Sequence, residues 1–177
     1  MADLRYPIGK FTPPAEYTSE FRSAAIAEVA LAPARIEAAV KGLTSEQMLT
    51  SYRDGGWTVA QVVHHLADSH ANAYMRFKLG LTETDPAIRP YDENAWASLP
   101  DGMDADVAVS LQIFSALQSR MHSMLTRMTP AEFGRSIFHP EHNRAMSLDR
   151  LLAIYSWHGR HHAAHITALR ERMGWRS

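Results

Sequence analysis

Four long stretches of the chain repeat their apolar residues every three or four positions, and no stretch alternates with a convincing period of two. That patterning predicts an all-α protein, because helices with one apolar stripe each must bury those stripes against one another. The first stretch, Tyr17 to Lys41, carries Phe21, Ile26, Val29, Ala30, Ile36 and Val40 at helical spacing and stops at Gly42; Pro33 is expected to kink or divide it. The second opens at Thr58, which forms a capping box with Gln61, has Trp57 placed to staple against Val62, and runs to about Gly80. The third is expected to be capped by Asp104, to carry Val107, Leu111, Phe114, Leu117, Met121, Met124 and Leu125, and to end near Met128. Ser147 caps the fourth, which continues to Met173 before Gly174. Four such helices pack most simply as a four-helix bundle.

The intervening segments are read from their turn chemistry. Residues Met1–Pro14 are an irregular lead-in broken by Pro7, Gly9, Pro13 and Pro14. Thr44–Gln47 and Thr129–Glu132 are further capping boxes opening short helical turns, and Tyr52–Gly56 is a loop. Leu81–Met103, with Pro86, Pro90, Pro100 and Gly102, reads as a long loop of the kind that lines a site. Phe133–Met146 is a short turn followed by a loop or hairpin. No internal repeat or composition break divides the chain, so a single domain over residues 1–177 is expected.

Composition removes several functional classes. Cysteine is absent, which excludes disulfides, thiolate metal sites and a protein thiol nucleophile, so any metal must use His, Asp or Glu. The formal charge of −1 offers no attraction for nucleic acid or an anionic membrane, and neither is expected as a partner. The N-terminus lacks a signal-like apolar run, and no stretch approaches the roughly 20 apolar residues that span a bilayer. A cytoplasmic protein acting on a small molecule is the expectation.

Histidine is where the sequence departs from an ordinary bundle. Of 10 in the chain, three fall within Gln61–His70 and four within His158–His165. Residues four apart on a helix lie about 40° apart around its axis and roughly 6 Å along it, so both can reach one ion. His158 with His162 forms such a pair, and so does His161 with His165; periodicity does not choose between them. On the second helix, His64 and His65 flank the stripe of Val59, Val62, Val63, Leu66, Ala73 and Phe77 on opposite sides, and the helical wheel leaves them tied. His70 falls within the stripe and reads as a satisfied core residue. His122, His139 and His142 read as packing or surface residues, with His139–His142 placed to edge a pocket, and Met103, Met121, Met124, Met128 and Met146 read as core or surface filling.

Five separated motifs together resemble one family: Leu4–Gly9, Tyr52–Thr58, His64–His70, Ile88–Glu93 and Trp157–Ile166. They resemble the DinB superfamily and, more closely, its YfiT branch of proteins described as metal-dependent hydrolases, over nearly the whole chain. The resemblance implies a four-helix bundle holding one divalent ion through a histidine of the second helix and an H-x-x-x-H pair of the last. In the family a tryptophan opens the second helix and the ligand follows eight residues later, which falls on His65; the pattern of the last helix falls on His158 and His162. Relatives often carry Gln where this chain has His165, which implies that His165 stands beside the ligands or is simply packed; His161 is a further candidate to stand beside them. A homodimer is likewise implied.

Three neutral imidazoles leave a divalent ion with an open position, the arrangement of a catalytic site. Zinc suits a hydrolase and nickel suits the same nitrogen donors. The leading expectation is a hydrolase in which the ion activates water. The alternatives are transfer of a diffusible small thiol, as the resemblance to bacillithiol transferases of the superfamily implies, and metal binding without catalysis. Asp68 and Ser69, three and four positions after His65, are the candidates to orient an imidazole or meet the reacting water. Arg89, Tyr91, Asp92 and Trp96 are the candidate substrate wall.

Overall fold

A computed structural model of the protein describes residues 3–141 and 143–175; His142 lies outside the described residues. Its elements, in order, are α1 (Ser19–Val40), α2 (Ser45–Met48), α3 (Val59–Thr82), α4 (Glu93–Ala97), a 3-10 turn (Pro100–Met103), α5 (Ala108–Leu125), α6 (Pro130–Phe133), strands β1 (Ser136–His139) and β2 (Arg144–Ser147), and α7 (Leu148–Met173). The long helices α1, α3, α5 and α7 form a four-helix bundle. No described helix is long and apolar enough to cross a membrane.

Local chemistry starts the helices where the sequence places the starts. Thr58 Oγ1 accepts from the Gln61 amide while Gln61 Oε1 accepts from the Thr58 amide, and the same reciprocal pair forms at Thr44/Gln47 and Thr129/Glu132. Ser147 caps α7 through the Arg150 amide, and Gly174 ends it at φ 67°, a left-handed conformation that suits glycine. The stripe Val59, Val62, Val63, Leu66, Ala73 and Phe77 is fully buried. Two arginines take up carbonyls freed at helix ends: Arg170 donates to Ala39 and Lys41 at the end of α1, and Arg135 donates to Gly80 and Glu83 at the end of α3. Gly159 lets α1 approach α7, since a Cβ there would meet the Ala32 Cβ at 3.0 Å.

Several boundaries differ from the sequence reading, each for a physical reason. Helix α1 runs undivided across Pro33. Proline has no N–H to give the carbonyl of Val29 four residues earlier, but Gln118 Nε2 of α5 donates to that carbonyl at 3.1 Å and replaces the missing bond. The segment Leu81–Met103 is not a plain loop: Asp92 accepts from the Asn94 and Ala95 amides and so starts α4, and the 3-10 turn follows. Helix α5 begins at Ala108, because Asp104 and Asp106 spend their carboxylates on the Asp106 and Ala108 amides in successive turns. It ends at Leu125, and α3 extends to Thr82. The helices are joined by a small antiparallel hairpin, Ser136 opposite Ser147 and His139 opposite Arg144, where the sequence offered a loop or hairpin.

Arg22 of α1 and Asp149 of α7 form a bidentate ion pair with both contacts at 2.7 Å, and Asp149 is only 5% exposed. Asp149→Ala leaves that guanidinium unpaired against the apolar ring of Phe133. We expect a loss of about 2 kcal/mol in urea unfolding, below the range for removing one partner of a fully buried pair because Arg22 is only partly buried. A change within experimental error would mean that solvent replaces the carboxylate.

Candidate metal centre

Helices α3 and α7 run side by side, and their packing brings His65, His158 and His162 to one point. His158 Nε2 lies 3.2 Å from His65 Nε2 and 3.1 Å from His162 Nε2. His65 and His162 are buried and His158 is partly exposed. Trp57 packs over it, 4.6 Å from the His65 ring and 6.3 Å from the His162 ring between centroids, and its indole N–H donates to Asn94 Oδ1. The tryptophan of the motif thus covers the imidazoles in addition to packing on the core.

The same packing separates the residues that periodicity left tied. His64 turns toward α5, with Nδ1 2.7 Å from Ser110 Oγ and Nε2 3.0 Å from the Asp104 carbonyl, so both ring nitrogens are occupied away from the cluster. His161 stacks on Trp157 at 4.2 Å and lies 6.0 Å from Tyr6, with no hydrogen bond to the three imidazoles. His165 sits behind His162, Nδ1 to Nδ1 at 3.3 Å, and its Nε2 lies 3.1 Å from the Arg5 carbonyl. Because a carbonyl can only accept, His165 carries its proton on Nε2 and accepts from His162 Nδ1–H, which leaves the His162 Nε2 lone pair facing the cluster. Tyr52 stacks on His165 at 4.0 Å. The motifs Leu4–Gly9 and Tyr52–Thr58, remote in sequence, therefore meet on this one face of α7.

A similar chain stands behind His158. Its Nδ1 lies 3.3 Å from His70 Nε2, and His70 Nδ1 lies 3.1 Å from Gln118 Oε1. The sequence reading took His70 as a satisfied core residue, and it is fully buried and satisfied, but one of its partners belongs to the cluster. Gln118 was missed. It stands four residues after Phe114 and three before Met121, so a polar side chain occupies the buried stripe of α5, and that is the signal that could have found it.

Burial sets the protonation of the cluster. It pushes His65 down to about 4 and His70 down to about 3, and it holds His158 and His162 well below the ordinary histidine value, with the neighbouring imidazoles adding to the effect. Neutral rings present lone pairs. The Nε2 atoms of His158 and His162 face each other at 3.1 Å, an arrangement in which a cation between them can take a lone pair from each ring. A tetrahedral ion with metal–nitrogen bonds of about 2.0–2.1 Å separates its donors by roughly 3.3 Å, close to the spacings found. The donor set fits one divalent ion.

Asp68 and Ser69 diverge. Asp68 lies between Asp101 and His64, where burial first and Asp101 second raise its carboxyl above the usual range. Ser69 is buried and lines a polar cavity of about 380 Å³ with Arg76, Tyr91, Asp92, Glu93 and Tyr155. Ser69 and Tyr155 stand one helical turn from His65 and His158, so this cavity adjoins the cluster along the bundle. Neither this cavity nor a larger surface depression of about 620 Å³ near Lys78 and Arg120 is lined by the clustered imidazoles themselves.

Of the predicted substrate wall, Tyr91 and Asp92 line the cavity and Arg89 and Trp96 do not. Residues 86–88 pair with Phe138, so strand-like alternation buries Ile88 and turns Arg89 to solvent. Trp96 is 40% exposed and packs on Tyr91 from outside, at 4.5 Å between centroids. The sequence reading missed Arg76 and Tyr155 as cavity residues, while Glu93, within the expected wall Arg89–Trp96, lines it; burial raises the Glu93 carboxyl above its usual range.

The model of the DinB superfamily matches residues 28–166. Among curated proteins, YfiT of Bacillus subtilis strain 168 is 47% identical over 173 residues, covering 98% of this chain and 97% of its own. A protein of Geobacillus thermodenitrificans strain NG80-2 is 48% identical over 172 residues, covering 97% of each. Both are provisionally named metal-dependent hydrolases. The solved structure of Bacillus subtilis YfiT, described as a four-helix bundle of unusual topology, superposes with a TM-score of 0.96 at 47% identity over 99% of this chain and 100% of that one. Patterned helices, convergent imidazoles and this likeness along the whole chain give one conclusion: the protein belongs to the DinB superfamily, in its YfiT-like branch.

Proposed function

We propose that the protein is a metal-dependent hydrolase in which His65, His158 and His162 hold one divalent ion, zinc by preference and nickel as an alternative. The observation that carries this reading is the approach of the Nε2 atoms of neutral, buried imidazoles to 3.1 and 3.2 Å, with His158 left partly open. When bound, the ion supplies a Lewis acid that activates water toward a polarised carbonyl or similar centre. The chain's own residues do the rest. Trp57 covers the cluster, His165 orients His162, and the cavity of Arg76, Tyr91 and Glu93 receives a polar small molecule one turn away. Glu93, its carboxyl raised by burial, is the group best placed in that cavity to hold or give a proton.

The test is turnover of 4-nitrophenyl esters and anilides by protein loaded with zinc or nickel, with and without an added small thiol. Hydrolysis without thiol, abolished by EDTA and restored by the ion, is the expected result. Consumption of monobromobimane only when a thiol is supplied would replace hydrolysis with thiol transfer, and inactivity in both assays would reduce the site to metal binding.

A further inference from the structure

Behind His158 the fold contains a hydrogen-bond chain whose direction is set at a proline on another helix. We infer that Gln118 and His70 are positioning residues that hold His158 in the Nδ1–H form, with its Nε2 lone pair turned to the ion, and that the direction is set by the Val29 carbonyl freed at Pro33.

The chain has one consistent polarity. The Val29 carbonyl lacks its helical donor because residue 33 is proline, and it can only accept. Gln118 must therefore aim its NH2 at Val29, the contact found at 3.1 Å, and turn its amide oxygen to His70 Nδ1, also at 3.1 Å. An oxygen there requires His70 to carry its proton on Nδ1, so His70 Nε2 is a lone pair. Across 3.3 Å, that lone pair accepts from His158 Nδ1–H. The opposite polarity would place the Gln118 oxygen against the Val29 oxygen. Gln118 is 1% exposed and His70 fully buried, so water cannot restore an alternative arrangement. Phe114 and Tyr155 pack edge-on against the His70 ring at 4.8 and 4.9 Å and keep it from turning. With the His165 to Arg5 arm behind His162, both His158 and His162 have their tautomer set by a backbone carbonyl.

This inference rests on the three-histidine ion site and is independent of the reaction carried out there. The first test is a long-range proton–nitrogen correlation spectrum of the full-length, metal-free protein labelled with nitrogen-15 histidine, at pH 7.5. His70 and His158 are expected as Nδ1–H tautomers. Either ring found as Nε2–H overturns the inference, whatever the enzyme assays give.

The second test is competition for zinc against a chromophoric chelator. Gln118→Leu and His70→Leu are expected to weaken zinc binding by about 10- to 100-fold, the range for partners that orient a ligand. His70→Gln, whose amide can accept from His158 and donate to Gln118, is expected to recover most of that loss. Unchanged zinc affinity in a folded Gln118→Leu protein, or equal affinities for His70→Leu and His70→Gln, would overturn the inference. Should the leucine variants fail to fold, the spectrum of the unaltered protein still decides it.

Discussion

Replacing His162 with alanine is expected to remove stoichiometric zinc while leaving the helix content within a few per cent of the parent protein. The loss of affinity should exceed the roughly 10- to 100-fold seen when only a supporting partner is removed, because one of three donors is gone. The fold should survive because the core is built elsewhere. Val59, Val62, Val63, Leu66, Phe77, Phe114, Leu152 and Ile166 are buried without any help from an ion. His162→Ala also frees the space between Trp57 and His165, and the alanine is a good helix former. Elemental analysis beside far-ultraviolet circular dichroism gives both readouts. Stoichiometric zinc retained by His162→Ala would move the site away from this cluster. His64→Ala and His161→Ala are the controls and should retain the ion, since neither ring is hydrogen-bonded to the three imidazoles.

Acid should unfold the metal-free protein steeply between about pH 6.5 and pH 4. In the unfolded chain a histidine takes up a proton near pH 6.5, whereas in the folded protein burial delays this to about 4 for His65 and about 3 for His70. The unfolded state therefore binds more protons throughout that window, and stability falls as pH falls. Above about 6.5 both states are neutral and the contribution is intact. Each ring held neutral changes stability by up to about 1.4 kcal/mol per pH unit, so these two alone remove on the order of 5 kcal/mol by pH 4. That is comparable with the whole stability of many domains. His158 and His162, depressed in the same direction by burial, steepen the transition. Circular dichroism at 222 nm followed against pH in EDTA is the measurement; native ellipticity retained at pH 4 would show that the rings take up protons without opening the bundle. Zinc should move the transition to lower pH, because the ion binds the neutral rings and competes with protons.

The helix starts were legible because their causes are local. A capping box needs only residues three apart, and Thr58 with Gln61 forms one wherever the helix later packs. The same holds for Ser147 at the start of α7 and Gly174 at its end. Ahead of α5 the carboxylates of Asp104 and Asp106 form successive turns, and the helix starts after Val107 with no side-chain cap, so the expected Asp104 cap is not found. Pro33 is the opposite case. Local rules predict a break, and a donor 85 positions further along, Gln118, removes the need for one.

What the sequence by itself determined is therefore the four long helices, the apolar face of each and the two histidine-rich turns from which a metal site can be drawn. Periodicity describes one helix at a time, so it left His64 level with His65 and His158/His162 level with His161/His165. The family resemblance pointed to His65, His158 and His162, but the physical choice is made by the packing of α3 against α7 and α5, because the angle at which a neighbouring helix lies is fixed by side chains remote in the chain. That same packing placed Gln118, His70 and the Arg5 carbonyl behind the imidazoles, where a few ångströms determine which nitrogen keeps its proton and which is left for an ion.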